Sequence, residues 1–199
     1  MQPEIYKIEE YKKNRKLVYL DEGAPAFCLY AREISKYDLK EGDVIPDTIY
    51  EEIISLLSKR ARERCLYLLD SMARTERQLR DKLRESCYPE ESIEAAIEYC
   101  KKKHYIDDAD YAERFIASKA DKLSKRAIEQ KLYAKGIDRD TIAYALENSG
   151  LDEVRTAGAY IVKKYGDISD LEYETRIKVI KNLMSKGFSY DVAKEAIKG

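Results

Sequence analysis

"SKRAIEQKLYAKGIDRDTIAYAL", residues Ser124 to Leu146, carries the pattern that decides the fold. Its apolar residues recur at helical spacing in two short segments, which a Lys-Gly pair separates. Glycine adopts the left-handed conformation that ends a helix at little steric cost. The stretch therefore predicts two short helices joined by a tight turn at Gly136.

The same pattern occurs three times in the chain. An offset of 49 residues aligns an earlier copy without a gap, and it places Leu79, Leu83, Tyr88, Ile93 and Ile97 on Ile128, Leu132, Ile137, Ile142 and Leu146. An offset of 51 residues aligns a later copy, with Val179, Leu183, Gly187, Phe188, Ala193 and Ile197 at the matching positions. The second helix of each copy is expected to end near Cys87, Gly136 or Gly187.

Each copy also has a hydroxyl residue where its second helix is predicted to begin. Thr75, Ser124 and Thr175 occupy this position and are predicted N-caps. A further amphipathic segment precedes each cap, and these segments are 62–73, 110–120 and 153–165. The chain therefore contains three-helix modules of about 45 to 50 residues, which bury their apolar faces by closing up or by stacking.

The segment before Pro46 has a different composition. Short β-branched and aromatic runs at 5–11, 16–20 and 27–31 predict a small β-meander, and Asp47 is the predicted cap of the helix that follows. The predicted fold is mostly α: an elongated, curved tandem array of three three-helix modules after a small β-rich N-terminal domain. The predicted boundaries are 1–45 for the β-rich domain and 46–104, 105–149 and 150–199 for the modules.

Three motifs connect this pattern to a known family. "ARERCLYLLDSMARTERQLRDKL" (61–83), "YIDDADYAERFI" (105–116) and "KLYAKGI" (131–137) resemble the RecX family of recombination regulators, over roughly 58–199. The resemblance implies binding to RecA and its nucleoprotein filament, with modulation, usually inhibition, of recombinase ATPase and strand exchange. It further implies a cytoplasmic monomer acting in homologous recombination, DNA repair and the SOS response, without catalysis of its own and without a cofactor.

Basic charge is concentrated in the first module, although the whole chain has 37 Lys and Arg against 38 Asp and Glu. Between Lys59 and Arg84 there are nine basic and four acidic residues. Helical spacing places Arg77, Arg80 and Arg84 on one face, which we call the arginine stripe. Guanidinium groups bind phosphates or carboxylates bidentately, so a partner or DNA surface and an ordinary solvated face both remain open. The candidate residues, the basic set, are Arg60, Arg62, Arg64, Arg74, Arg77, Arg80, Arg84, Lys125 and Arg126.

Other functional classes find little support in the sequence. Four widely spaced Cys are expected to be reduced and buried, and Asp107, Asp108 and Asp110 are expected to cap a helix rather than hold a metal. The 17 Tyr could stack on bases, but many of them, such as Tyr67, Tyr99 and Tyr111, occupy apolar-periodic positions and are expected to fill cores. No leader, membrane span, phosphate loop or nucleophile motif is apparent, so catalytic residues are not expected.

Two alternatives to a recombinase regulator remain. The first is a helical-repeat protein that binds single- or double-stranded DNA through its basic first module, with no recombinase involved. The second is a scaffold for an unrelated protein. Steep salt dependence of binding to bare DNA would favour the first, and indifference to both DNA and RecA would favour the second.

Overall fold

The computed structural model of the chain describes residues 2–166 and 172–198, which contain three strands and ten helices. The chain divides into two compact units, Met1–Ile106 and Asp107–Gly199. The first unit holds a small sheet and one three-helix module, and the second holds two further modules. The predicted fold class, three helical modules after a β-rich segment, is confirmed.

The N-terminal sheet is antiparallel and follows the chain in the order β1-β2-β3, as the predicted meander requires. Its strands are β1 (Lys7–Lys12), β2 (Arg15–Tyr19) and β3 (Phe27–Tyr30), and the short helix α1 (Ala31–Lys36) follows directly. Val18, Phe27 and Leu29 are fully buried, and they pack in one core with Ile53 and Leu57 of the next helix. The sheet is therefore fixed to the helical part of its unit.

The first module shares a long helix with this sheet. Its helices are α2 (Asp47–Ser71), α3 (Glu76–Arg84) and α4 (Glu90–Lys102). The first half of α2 packs under the sheet, whereas Ala61, Cys65 and Leu68 of its second half belong to the core of the module. These apolar residues recur every three or four positions, so a single face of α2 serves both cores.

The second unit repeats the three-helix arrangement twice. The first of its modules contains α5 (Asp108–Lys119), α6 (Lys125–Ala134) and α7 (Arg139–Glu147), and the other contains α8 (Glu153–Tyr165), α9 (Tyr173–Ser185) and α10 (Tyr190–Ala196). The aligned positions Leu83, Leu132 and Leu183 are all 0% exposed. The apolar repeat read from the sequence is therefore the core of each module.

The predicted turn at the end of the second helix has the same left-handed backbone in all three copies. Its φ is +59° at Cys87 and +92° at both Gly136 and Gly187. In the first copy this conformation is adopted by Cys87. Because cysteine has a Cβ, the left-handed backbone costs roughly 1–2 kcal/mol there. The geometry of the turn is retained although its glycine is not.

Two of the three predicted hydroxyl caps are confirmed. Thr75 accepts a hydrogen bond from the backbone N–H of Gln78, and Ser124 accepts one from that of Ala127. The third prediction is wrong, because α9 begins at Tyr173 and its N-cap is Glu172, three residues before Thr175.

The predicted cap of α2 is also wrong. Pro46 is the N-cap residue, with the extended backbone (φ −58°, ψ 141°) that this position requires, and no side chain caps the helix. Asp47 instead lies in the first turn of α2, where its carboxylate is favourable to the helix dipole.

Side chains at helix ends join the two modules of the second unit. The Ser124 hydroxyl donates to the carbonyl of Lys186 at 2.9 Å, and the Thr156 hydroxyl donates to the carbonyl of Ala120 at 2.7 Å. The backbone N–H of Lys125 donates to the Glu153 carboxylate at 2.8 Å. Ser124 therefore both begins α6 and bonds to the turn of the following module.

We expect Gly187→Ala to destabilise the second unit by about 2 kcal/mol or more. A left-handed backbone alone costs roughly 1–2 kcal/mol with a Cβ, and the new Cβ would lie 2.7 Å from Ser124 Oγ. Rotating the Ser124 hydroxyl away would break its bonds to Lys186 and Ala127. Urea unfolding followed by circular dichroism measures the loss.

Gly150→Ala is the matched control for this prediction. Gly150 also has a positive φ, of +59°, but its Cβ would meet nothing within 4 Å. Its substitution should show the backbone cost alone. Equal losses for the two variants would contradict the predicted clash with Ser124.

Candidate partner-binding surface

The structure divides the basic set between the two compact units. Arg60, Arg62 and Arg64 lie on α2, Arg74 precedes α3, and the arginine stripe lies on α3, all in the first unit. Lys125 and Arg126 begin α6 in the second unit. The surroundings of each side chain then decide which charges are available to a partner.

Arg60 is held inside the first unit by a carboxylate. Its guanidinium makes a bidentate ion pair with Glu33 of α1, whose side chain is only 9% exposed, and it lies 4.9 Å from the centre of the Tyr30 ring. Burial alone would raise the pKa of Glu33, but bonds from Arg60 and from the Tyr30 N–H outweigh burial and lower it. Arg60 therefore connects α2 to the sheet region rather than presenting a free charge.

Arg80 is similarly engaged, between α3 and α4. Its Nε donates to Glu76 at 2.8 Å, and its two terminal nitrogens donate to Glu94 at 2.8 and 3.1 Å. Lys101 joins the same network by donating to Glu76 at 2.9 Å. Burial would raise the pKa of Glu76, yet the bonds from Lys101 and Arg80 lower it. This network neutralises the centre of the arginine stripe.

The other two arginines of the stripe are more accessible. Arg84 is paired with Glu90 at 2.6 Å, but its side chain is 49% exposed, and such surface pairs contribute about 1 kcal/mol or less. Arg77 is exposed and forms no ion pair within residues 2–166 and 172–198. A partner could therefore bind Arg77 directly and could compete for Arg84.

The remaining arginines of the first unit lie against rings or the backbone. Arg62 lies 5.6 Å from the centre of the Tyr99 ring, and Arg64 lies 5.3 Å from that of Tyr67. Arg74 Nε donates to the carbonyl of Leu68 at 3.4 Å. A ring orients a guanidinium without cancelling its charge, so Arg62 and Arg64 keep a full positive charge at the surface.

Tyr67 corrects one expectation from the sequence. Its side chain is 68% exposed and so does not fill the core, because its position on α2 points away from the apolar face. Tyr99 and Tyr111 do pack against the cores of their modules, as predicted.

In the second unit, Arg126 lines a basic groove of about 460 Å³ between α6 and the turn after α9. Lys122 and Lys186 line the same groove, together with Gln130, Tyr160 and Met184, and no carboxylate of a described residue faces it. Lys125 is exposed beside it. The basic set predicted from the sequence did not include Lys122 or Lys186. The repeat offered a signal for Lys186, because it precedes Gly187 as Lys135 precedes Gly136.

The residues considered for other chemistry have structural roles. Asp107 caps α5 by accepting from the N–H groups of Ala109 and Asp110, as predicted. Cys28, Cys65 and Cys100 are buried, whereas Cys87 is half-buried, contrary to the expectation for all four. Across the described part of the chain, no group of three or more His, Cys, Asp or Glu could hold a metal ion. None of the described helices is long and apolar enough to cross a bilayer.

Comparisons with known proteins agree with this geometry. Three family models match in order: RecX, first three-helix domain, at residues 61–100; second three-helix domain, at 107–146; and third three-helix domain, at 152–197. The regulatory protein RecX of Clostridium botulinum is 32% identical, and the match covers 98% of this chain and 94% of the relative. That of Finegoldia magna is also 32% identical, with 96% and 97% covered.

Two solved structures are similar to this chain. One, described as the crystal structure of regulatory protein RecX, has a TM-score of 0.64 at 27% identity, with 98% of each chain covered. The other, of RecX from Lactobacillus salivarius, has a TM-score of 0.65 at 25% identity, with 72% of this chain and 96% of that chain covered.

Proposed function

This chain belongs to the RecX family of regulatory proteins, and from that premise we propose that it binds RecA and its nucleoprotein filament and inhibits recombinase ATPase and strand exchange. The observation that carries the proposal is the match of three consecutive modules to the family, within a likeness that extends over 98% of the chain. The proposed role is regulatory, in the cytoplasm, as a monomer and without chemistry of its own.

The repeated architecture supports a filament as the partner. A filament presents the same surface at regular intervals, and tandem modules can contact it at several points. Linked weak contacts give a high combined affinity without a deep pocket, because each later contact forms at a high effective concentration. Contacts to neighbouring protomers would oppose the motions that accompany ATP turnover.

The accessible members of the basic set are the proposed contact residues. In the first unit these are Arg62, Arg64 and Arg77, and in the second they are Lys125 and Arg126. Acidic protein patches and DNA phosphates both bind exposed guanidinium groups. Arg60 and Arg80 are proposed to maintain the fold, because intramolecular carboxylates already hold them.

A second candidate function is direct DNA binding through the first module. Arg77, which is exposed, and Arg62 and Arg64, which are half-buried against tyrosine rings, favour it, since they keep positive charge at one module's surface. Binding to bare DNA that falls steeply with salt, together with no effect on RecA, would establish this function instead.

The decisive experiment is the single-strand-dependent ATPase rate of a cognate RecA during titration of this protein well below stoichiometry. The proposal expects the rate to fall, because one bound molecule would restrain several protomers. An unchanged rate up to saturating protein would overturn it.

Charge reversal of accessible arginines is expected to weaken that inhibition. Arg64→Glu combined with Arg77→Glu should raise the half-inhibitory concentration by about tenfold or more, since each charge-assisted contact contributes roughly 1.5–3 kcal/mol. Arg80 and Arg84 are left intact, because a new glutamate there would face Glu76, Glu94 or Glu90 and disturb the fold.

Lys178→Glu combined with Lys181→Glu makes the same change of charge on exposed positions of α9. This control variant should inhibit RecA like the unaltered protein. Equal weakening in both variants would point to net charge alone and would remove Arg64 and Arg77 from the contact surface.

A further inference from the structure

The β-rich domain carries a cluster of cations and tyrosine rings outside the basic set, which we call the hairpin patch. Its members are Tyr11, Lys12, Lys13, Arg15, Tyr30 and Arg32. Strand pairing assembles it, because Arg15 stands opposite Lys12 on one side and opposite Tyr30 on the other. Two separate segments of sequence, 11–15 and 30–32, thereby meet at one end of the sheet.

Cations surround the Tyr30 ring, which is 38% exposed. The guanidinium carbons of Arg15 and Arg32 lie 5.9 and 5.7 Å from its centre, and that of Arg60, which Glu33 holds, lies 4.9 Å from it. The ammonium of Lys12 lies 4.8 Å from the centre of the Tyr11 ring, and Arg15 lies 5.9 Å from the same ring. The patch therefore brings tyrosine rings and positive charge together, and the Tyr30 ring lines the adjacent groove.

Two carboxylates close to the patch in sequence are already paired with other cations. Glu10 pairs with Lys16 at 3.0 Å, and Glu33 holds Arg60. Within the residues that the structure describes, neither Lys13 nor Arg32 forms an ion pair, and both are exposed. Lys13 and Arg32 therefore lack an ion-pair partner among the described residues, although Arg32 is close enough to Glu33 for its charge to help lower the pKa of that carboxyl.

A groove of about 460 Å³ lies at the centre of the patch. Lys13, Asn14, Tyr30, Ala31 and Arg32 line it. The N–H of Ala31 donates to the carbonyl of Asn14 at 2.9 Å, which fixes the tip of the hairpin against the start of α1. The groove is thus preformed, and a ligand would bind without first ordering a loop.

The chemistry of this groove suits a chain that has both anions and flat rings. Lysine and arginine bind phosphates, and an exposed tyrosine stacks on a base. An acidic peptide would use the cations but not the ring, and a duplex hides its base faces. We propose that the hairpin patch binds single-stranded nucleic acid, with phosphates on Lys13 and Arg32 and a base on Tyr30. This site does not depend on the proposed action on RecA.

The contribution of Lys13 and Arg32 is tested by fluorescence anisotropy. A labelled oligo-dT of about 15 nucleotides is mixed with the full chain in the absence of RecA. Lys13→Glu combined with Arg32→Glu should weaken binding by tenfold or more. The slope of log affinity against log salt should become shallower by roughly 1.4, because a single strand loses about 0.7 of a counterion per phosphate contacted. Lys178→Glu with Lys181→Glu, which makes the same charge change, should leave both quantities as they were.

Tyr30 variants test the stacking. Tyr30→Phe should bind like the unaltered protein, whereas Tyr30→Leu should bind roughly 5- to 150-fold more weakly, the range measured for loss of one stacked base. Thermal melting monitored by circular dichroism confirms that each variant is folded.

Three results would each overturn the proposal. The first is unchanged affinity in the Lys13 and Arg32 variant, and the second is an equal loss in the Lys178 and Lys181 control. The third is displacement of the oligonucleotide by poly-glutamate at equal charge concentration, which would indicate a general anion surface. Because RecA is absent, none of these results bears on the proposed inhibition of the filament.

Discussion

Replacing Glu33 with alanine is expected to lower the free energy of unfolding by roughly 3–5 kcal/mol, the cost of removing one partner from a buried ion pair. Arg60 would keep its charge at 23% exposure without its carboxylate. The N–H of Tyr30 would also lose its acceptor, which now lies 2.9 Å away. Urea unfolding at neutral pH measures the loss.

The same pair predicts a pH dependence. The folded pKa of Glu33 lies below its ordinary value of 4.5. The stabilisation is therefore fully present above that ordinary value and is lost as the pH falls through the folded pKa. The difference in stability between the unaltered protein and Glu33→Gln should accordingly be constant near neutral pH and shrink below about pH 4.5.

Two further variants separate the pair from general effects. Glu10→Ala breaks an exposed pair, with Glu10 at 75% and Lys16 at 30% exposure, and should cost about 1 kcal/mol or less. Glu33→Leu combined with Arg60→Met should recover much of the loss, because replacing both charges leaves neither one buried alone. A Glu33→Ala variant as stable as Glu10→Ala would contradict the role assigned to the buried pair.

The second large effect is expected at the position that the three copies share. Leu83→Ala, Leu132→Ala and Leu183→Ala should each destabilise the protein by roughly 2–5 kcal/mol, through lost burial and the cavity left behind. All three side chains are 0% exposed and lie in three separate module cores. Similar losses at the three positions would show that equivalent residues of the repeat contribute equally to the free energy of unfolding.

Hydrogen exchange adds a test of where each loss occurs. Leu83→Ala should reduce protection in the first compact unit, and Leu132→Ala and Leu183→Ala should reduce it in the second. Lys131→Ala, at the exposed neighbour of Leu132, should stay within about 0.5 kcal/mol of the unaltered protein. A loss below 1 kcal/mol at any of the three leucines would contradict its place in a core.

The local pattern of apolar and capping residues explains most of the predictions that the structure confirms. The spacing of apolar residues is a property of the sequence itself, so the modules, the meander and the Thr75 and Ser124 caps were all found in advance. The errors in burial concern Tyr67 and Cys87, and the errors in the helix caps lie at helix starts, where one turn more or less is decided by packing. Thr175 fell inside α9 for that reason, and Pro46 replaced Asp47 as a cap because a proline already has the required φ.

Which basic residues are available to a partner could not be predicted from a local pattern. Sequence places Arg77, Arg80 and Arg84 on one helical face, but it does not say which carboxylates the fold brings to them. Glu94 lies 14 residues from Arg80, and Glu33 lies 27 residues from Arg60. The hairpin patch likewise depends on strand register, which brings Arg15 beside Tyr30.

The sequence by itself determined the repeated three-helix module, its buried positions and its turn, because burial of a periodic apolar face is a local property of each helix. Only the tertiary structure decided which charges are free, since an ion pair depends on distances between side chains remote in sequence. Arg60 and Arg80 became parts of the fold for that reason, and Arg77, Arg126 and the hairpin patch were left at the surface.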